Sequence, residues 1–314
     1  MSESSSSTAL TANRVGVAVL LGALLTMRMP DCRAQDLEPR VYSPNPIGAH
    51  FLGLAYVHSS GGVLSDPTLP ISDVDAQLNT TILGYGQTFA VLNRSAIVNL
   101  AVPYVWGRLS GSLGEERREV TRSGLGDARL RLGLNLTGGA ATTPAEFAKR
   151  KPETALGMSV TIVAPAGQYD RTKLVNIGAN RWAFKPELGV SHPSGPWYVE
   201  AYAGVWLFTA NDEFFGGSRR REQDPLATLQ THIVYTFRPH LWIAFDATLY
   251  HGGRTTVDGA RNLDLQSNVR VGLTVSLPTS RRQSLKLSWS DGVSTRIGSD
   301  FTTLGVAWQY MWVD

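Results

Sequence analysis

The chain has 314 residues, 43% of them hydrophobic and 18% charged, with 31 glycines, one cysteine and a formal net charge of +3. That composition excludes both a disordered tract and a bundle of membrane-spanning helices. Basic residues are scattered rather than clustered, which excludes a nucleic-acid partner.

Residues 15–27 form the one long uninterrupted apolar run, with Arg14 before it and Cys32-Arg33-Ala34-Gln35 after it. The run is shorter than the roughly 20 residues a spanning helix needs, and Cys32 and Ala34 place small residues ahead of a cut after Ala34. Residues 1–34 therefore read as a cleaved secretory signal peptide. Met29, Pro30 and Asp31 do not fit a site for lipid attachment at Cys32. Cleavage removes the only cysteine, so the mature chain holds neither a disulfide nor a cysteine-ligated metal. It also removes Arg14, Arg28, Arg33, Glu3 and Asp31, which leaves the mature chain nearly neutral. Residues 35–47 are expected to form a periplasmic N-terminal segment and residues 48–314 a single barrel.

From Gly48 onward, segments of roughly ten residues alternate in polarity and are separated by turn signals. Alternation is clearest in residues 127–136, where Asp127, Arg129, Arg131 and Asn135 oppose Leu130, Leu132, Leu134 and Leu136. It recurs in 262–277, where Asp264, Gln266, Asn268 and Arg270 oppose Leu263, Leu265, Val269 and Val271. A slip of one residue would carry Arg270 into lipid at roughly 2–4 kcal/mol near the midplane, so the register is strongly specified. Further strands are expected at 50–58, 73–86, 95–106, 155–164, 182–190, 197–208, 226–237, 241–250, 284–290 and 301–312. The total is about twelve, an even number, as a single-chain bacterial barrel requires.

With the first strand running outward, the outer connections cover 59–72, 107–122, 165–181, 209–225, 251–261 and 291–300, and they are long and rich in Gly, Asp, Arg and Ser. Connections on the other side, such as 191–196, 238–240 and 278–283, carry the Pro and Gly of tight turns. Long and short thus alternate, except that 138–153 is long on the short side. Aromatic residues gather at strand ends, as in Tyr104 and Trp106, Trp182 and Phe184, Trp197 and Tyr198, Tyr235 and Phe237, and Trp308, Tyr310 and Trp312. Amphipathic rings prefer the headgroup level of a membrane. The fold expected is all-β, a single antiparallel transmembrane barrel of the outer-membrane type in a Gram-negative bacterium. Its lipid and the barrel insertion machinery, which reads aromatic-ended final strands, are its expected partners; Val313 and Asp314 extend past the last aromatic.

Lumen-lining candidates from parity are Tyr56, Asp127, Arg129, Arg131, Glu200, Tyr202, Trp206, His232, Trp242, Asp246, Tyr250 and Arg270, and His58, Asp75, Gln77 and Asn79 join them. Mixed charges need only neutralise one another inside the barrel. Tyr56, Tyr202, Trp206, Trp242 and Tyr250 place flat apolar faces in a polar lumen, which suits a path for small apolar or aromatic solutes. A twelve-stranded barrel falls between filled eight-stranded barrels and open porins, so the lumen is expected to be narrow. No G-x-S-x-G or H-E-x-x-H motif supports an outer-membrane hydrolase, and the six histidines are dispersed. No catalytic, metal or cofactor site is expected. A barrel acting only through its outer loops, such as 211–221, is the remaining alternative.

The stretch Gly124-Leu-Gly-Asp-Ala-Arg-Leu-Arg-Leu-Gly133, with Pro165-Ala-Gly-Gln-Tyr-Asp170, Asn176-Ile-Gly-Ala-Asn-Arg-Trp182 and Phe184-Lys-Pro-Glu-Leu-Gly189, resembles the outer-membrane family labelled "putative meta-pathway of phenol degradation". Asn211 with 214–217, His251-Gly-Gly253 with Asn262, and 288–298 with Asp300-Phe301 extend the resemblance from about Pro46 to the C-terminus. It implies a transporter-like barrel associated with uptake of aromatic or other small hydrophobic compounds, and it carries over no catalytic residue.

Overall fold

The computed structural model describes residues 37–64, 71–113, 116–216 and 219–314. The expected signal peptide lies outside these residues. The strands in chain order are β1 (Ala49–Leu64), β2 (Ile71–Val91), β3 (Arg94–Leu113), β4 (Glu116–Leu125), β5 (Ala128–Thr137), β6 (Ala155–Ala164), β7 (Ala183–Ser194), β8 (Trp197–Phe208), β9 (Asn211–Phe214), β10 (Arg219–Gln223), β11 (Leu226–Arg238), β12 (Leu241–Gly252), β13 (Thr255–Val257), β14 (Ala260–Arg261), β15 (Gln266–Pro278), β16 (Gln283–Thr295) and β17 (Gly298–Val313). Among the described residues one short helix, α1 (Pro144–Phe147), interrupts them.

All neighbours in the main sheet are antiparallel, in the order β2-β1-β17-β16-β15-β12-β11-β8-β7-β6-β5-β3, and the β2–β3 pairing closes the ring. One part of β3 pairs with β4 and the rest with β5. β4 and β5 are therefore one place in the wall, broken at Gly126-Asp127, and the barrel has twelve strands. A ten-residue strand such as β6, tilted about 40°, spans roughly 25 Å, which matches the apolar band of an outer-membrane barrel.

Register fixes which side chains meet lipid. Leu54, Leu83, Leu188, Val199, Phe245 and Leu304 are each about half exposed and stand on one side of the sheet through successive cross-strand pairs. Trp308, Tyr310 and Trp312 lie on this side too and stack in sequence, at 6.4 and 5.7 Å between ring centres. Trp308, Tyr310 and Trp312 thus form a row of rings on the lipid side, whereas Tyr198, another strand-end aromatic, turns inward against Val234, Trp242 and Ala244.

Four turns at one end are short: Leu92-Asn93, Gly195-Pro196, Pro239-His240 and 279–282. Leu92 and Asn93 both have positive φ, as a two-residue hairpin turn of the primed type demands. The opposite, loop end carries a second sheet of β9, β10, β13 and β14. Two outer connections expected at 59–72 and 107–122 are largely strand, because Gly- and Arg-rich residues there pair as the tall β1–β2 and β3–β4 hairpins.

Candidate functional site

The long connection on the short-turn side is a clamp. Thr143 caps α1 in a reciprocal capping box with Glu146, and the guanidinium of Arg150 donates to the Gly138 carbonyl. Backbone bonds from Ile47 to Thr142, Ala141 to Asn93 and Ser95 to Gly139 tie this connection to the β2–β3 turn and to the base of the N-terminal segment. Thr88 Oγ1 donates to the Pro46 carbonyl on the same base.

Beyond that base, residues 37–42 contact the inward-facing side chains of β5 to β8. Tyr42 is buried, its ring edge-on to Tyr202 at 5.0 Å, and its hydroxyl lies 2.9 Å from Ser159 Oγ and 3.1 Å from Glu187 Oε1. The Arg131 guanidinium covers the same ring at 5.3 Å. Glu38 pairs with Arg131 at 2.6 Å, the Arg40 N–H donates to Glu200 at 2.7 Å, and the Arg40 guanidinium lies over Tyr198 at 4.2 Å. The segment therefore crosses from β1 to the opposite wall. Gly157 and Gly189 make room for it: a Cβ on either would come within 2.3 and 2.1 Å of the Tyr42 ring.

That opposite wall, β5 to β15, is filled with polar and aromatic side chains. Glu187 bridges Lys185 at 2.8 Å and Arg131 at 3.0 Å. Glu200 accepts from Ser191 Oγ and Tyr202 Oη, both at 2.6 Å. His232 Nδ1 meets Asp246 at 2.6 Å, and Thr274 donates to the other Asp246 oxygen at 2.8 Å. Arg270 donates to Ser290 Oγ and, at 2.6 Å, to the Phe301 carbonyl. Trp206 packs with Val163, Ala183 and Leu226, with Phe208 and Tyr250 alongside, and Trp242 packs with Val234 and Ala244. These aromatics are on the inward face of their strands. Tyr202, Trp206 and Trp242 are each buried, in three separate packing groups, and so do not line an open path.

Three candidates need separate placement. Tyr56 stands on the lipid side, level with Val306 and Thr81 and 6.1 Å from Trp106, and donates to Asn79 at 2.7 Å. His58, Asp75, Gln77 and Asn79 share that outward parity through their pairings. Polarity misassigns them because the inward face of β1 and β2 is itself small and apolar, so the usual contrast between the two faces is reversed. Asp127 sits at the break between β4 and β5, where its two oxygens accept from the Gly167 and Ala179 N–H groups, both at 2.9 Å. It fastens the 165–182 loop rather than facing a passage. Arg129 keeps the inward parity of Arg131.

Opposite the filled wall, β17, β1, β2 and β3 turn small residues inward: Ala307, Gly53, Ala55, Ile82, Gly84, Ala101 and Pro103, all partly exposed. A Cβ on Gly53 would meet only the backbone oxygens of Trp308 and Gly84, at 3.7 and 4.0 Å. At Gly84 the neighbours are again backbone oxygens, of Leu100 and Gly53 at 3.8 and 4.0 Å. Nothing from across the lumen comes within 4 Å of a Cβ at either glycine, so there is open space beside this part of the wall. Sequence periodicity gives no sign of this, since glycine and alanine weigh little in any alternation.

A family model described as "Putative MetA-pathway of phenol degradation" matches residues 59–309. Comparison with curated proteins finds no match. Among solved structures, the chain is similar to the COG4313 outer membrane channel from Pseudomonas putida F1, with a TM-score of 0.74, 22% identity, and coverage of 88% of this chain and all of that one. The toluene transporter TodX of Pseudomonas putida is a more distant likeness, with a TM-score of 0.50, 10% identity, and coverage of 91% of this chain and 96% of that one. Both likenesses concern the fold, that of an outer-membrane barrel.

Proposed function

The chain belongs to the family described as "Putative MetA-pathway of phenol degradation", and from that premise we propose that it is an outer-membrane channel for passive uptake of small apolar or aromatic compounds. The observation that carries the proposal is the division of the lumen. One wall is packed with paired or hydrogen-bonded charges and aromatics, while the other is small and apolar and leaves space beside Gly53 and Gly84.

A solute moving beside Gly53, Ala55, Ile82 and Gly84 exchanges water for apolar contacts, worth about 25 cal/mol per Å² removed from water. A hydrated ion gains nothing comparable there and keeps its hydration cost. Glycine and alanine leave width in a barrel whose strand number gives little. The inner segment limits the route at the turn end, and its contacts are side-chain bonds that a fluctuation can break. Folding through the barrel insertion machinery, expected from the aromatic-ended last strand, belongs to the same reading.

Liposome swelling or solute-flux measurements with small aromatic solutes test it. Wild-type protein should admit phenol-sized solutes, and Gly84→Trp, which fills the open side, should cut flux at least tenfold while the barrel still folds. No flux in wild type and in a variant lacking residues 37–44 would end the transport reading.

A further inference from the structure

The two ends of the barrel treat their charges differently. At the loop end several arginines are matched: Arg108 with Glu119, Arg118 with Glu116, Arg220 with Asp212 and Glu222, and Arg261 with Asp224. At the turn end, exposed Arg94, Lys149, Lys151, Arg238, Arg281 and Arg282 have no acidic partner among the described residues. They lie in or directly beside four of the five connections at that end.

Their position relative to the girdle gives these charges a ligand. Arg238 directly follows outward-facing Phe237, whose ring meets Tyr235 at 4.8 Å. The Arg282 carbonyl accepts from the Met311 N–H at 2.8 Å, which puts the 279–282 turn beside Tyr310 and Trp312. Aromatic rings settle at the membrane interface. A cation one or two residues further along a tilted strand lies roughly 3–6 Å higher, at the level of lipid phosphates. We infer that the turn end binds anionic phospholipid headgroups, through a basic rim set just outside the aromatic girdle.

The rim does not depend on transport. Its occupant is a lipid of the adjacent leaflet rather than a soluble polyanion, because Arg238 and the Arg281-Arg282 pair adjoin lipid-facing rings instead of a concave surface. Each basic residue near an anionic surface shifts association by roughly fivefold, less where salt screens it.

Quenching of tryptophan fluorescence by brominated phosphatidylglycerol, compared with brominated phosphatidylcholine in mixed vesicles, reads the preference directly, since Trp197, Trp308 and Trp312 ring this end. Wild type should prefer phosphatidylglycerol several-fold at low salt and lose the preference at about 1 M salt. The triple variant Arg238→Gln, Arg281→Gln, Arg282→Gln should approach equal quenching by both lipids. The loop-end pair Arg117→Gln, Arg118→Gln should behave as wild type. Equal quenching in wild type, or an undiminished preference in the triple variant, overturns the inference. So does loss of binding to isolated peptidoglycan by a triple variant whose lipid preference is intact, which would make the cell-wall polymer the occupant.

Discussion

Replacing Tyr42 by alanine should unseat the inner segment without harming the wall. Tyr42 is 3% exposed and bonded to Ser159 and Glu187. Truncating a buried aromatic costs about 3–5 kcal/mol, and here the loss falls on docking, because the strands that contact Tyr42 keep their ladders. Even the lower figure, about 3 kcal/mol, raises the undocked population by about a factor of 100, while Glu38–Arg131 and Arg40–Glu200 remain to oppose release. Single-channel recording in planar bilayers should show open time rising steeply in Tyr42→Ala and further in a variant lacking residues 37–44. If the deletion opens the channel but Tyr42→Ala matches wild type, Tyr42 is not what holds the segment. If neither changes conductance, the segment does not limit passage.

Gly189→Ala should act in the same direction with the tyrosine intact, since the added methyl would sit 2.1 Å from the Tyr42 ring; bilayer conductance again reads it. Cysteines at the adjacent positions Leu83 and Gly84 should divide cleanly, Leu83→Cys reacting with lipid-soluble maleimides and Gly84→Cys with water-soluble ones. Reversed labelling would refute the register. Asp127→Ala removes a carboxylate acceptor from two loop amides, each such bond worth about 1.5–3 kcal/mol, so hydrogen exchange at Gly167 and Ala179 should speed at least tenfold. Asp170 accepts from the Thr172 hydroxyl and N–H and faces Lys173, which hold its pKa at about 2 against an ordinary 3.8. Its contribution to loop order is then full above about pH 3.8 and lost as pH falls through about 2. A carboxyl NMR titration with a midpoint near 4 would contradict this.

The wall is legible where the two faces differ most. The leucine ladder of β5 and the Leu/Val ladder of β15 contain their own register, and the expected spans 155–164 and 197–208 coincide with β6 and β8. Legibility fails on β1 and β2, where Gly53, Ala55 and Gly84 leave the inner face without polarity and Tyr56 and Asn79 decorate the outer one. It fails again at the tall hairpins, where glycine, serine and arginine look like loop yet pair because a neighbouring strand continues beside them. The inner segment has almost no period of its own. Its charges, Glu38 and Arg40, make sense only against Arg131 and Glu200, more than ninety positions further along the chain.

That long reach bears on how the molecule is assembled. The segment precedes β1, yet its partners belong to β5, β6, β7 and β8, and β1 completes the ring only by pairing with β17, the last strand made. A chain seated across the interior in this way cannot be threaded easily through the finished wall, so it has to be taken in as the seam between first and last strands zips. The seam and the cross-brace are then a single late event in biogenesis. Variants that weaken the brace should slow final closure before they alter the finished barrel.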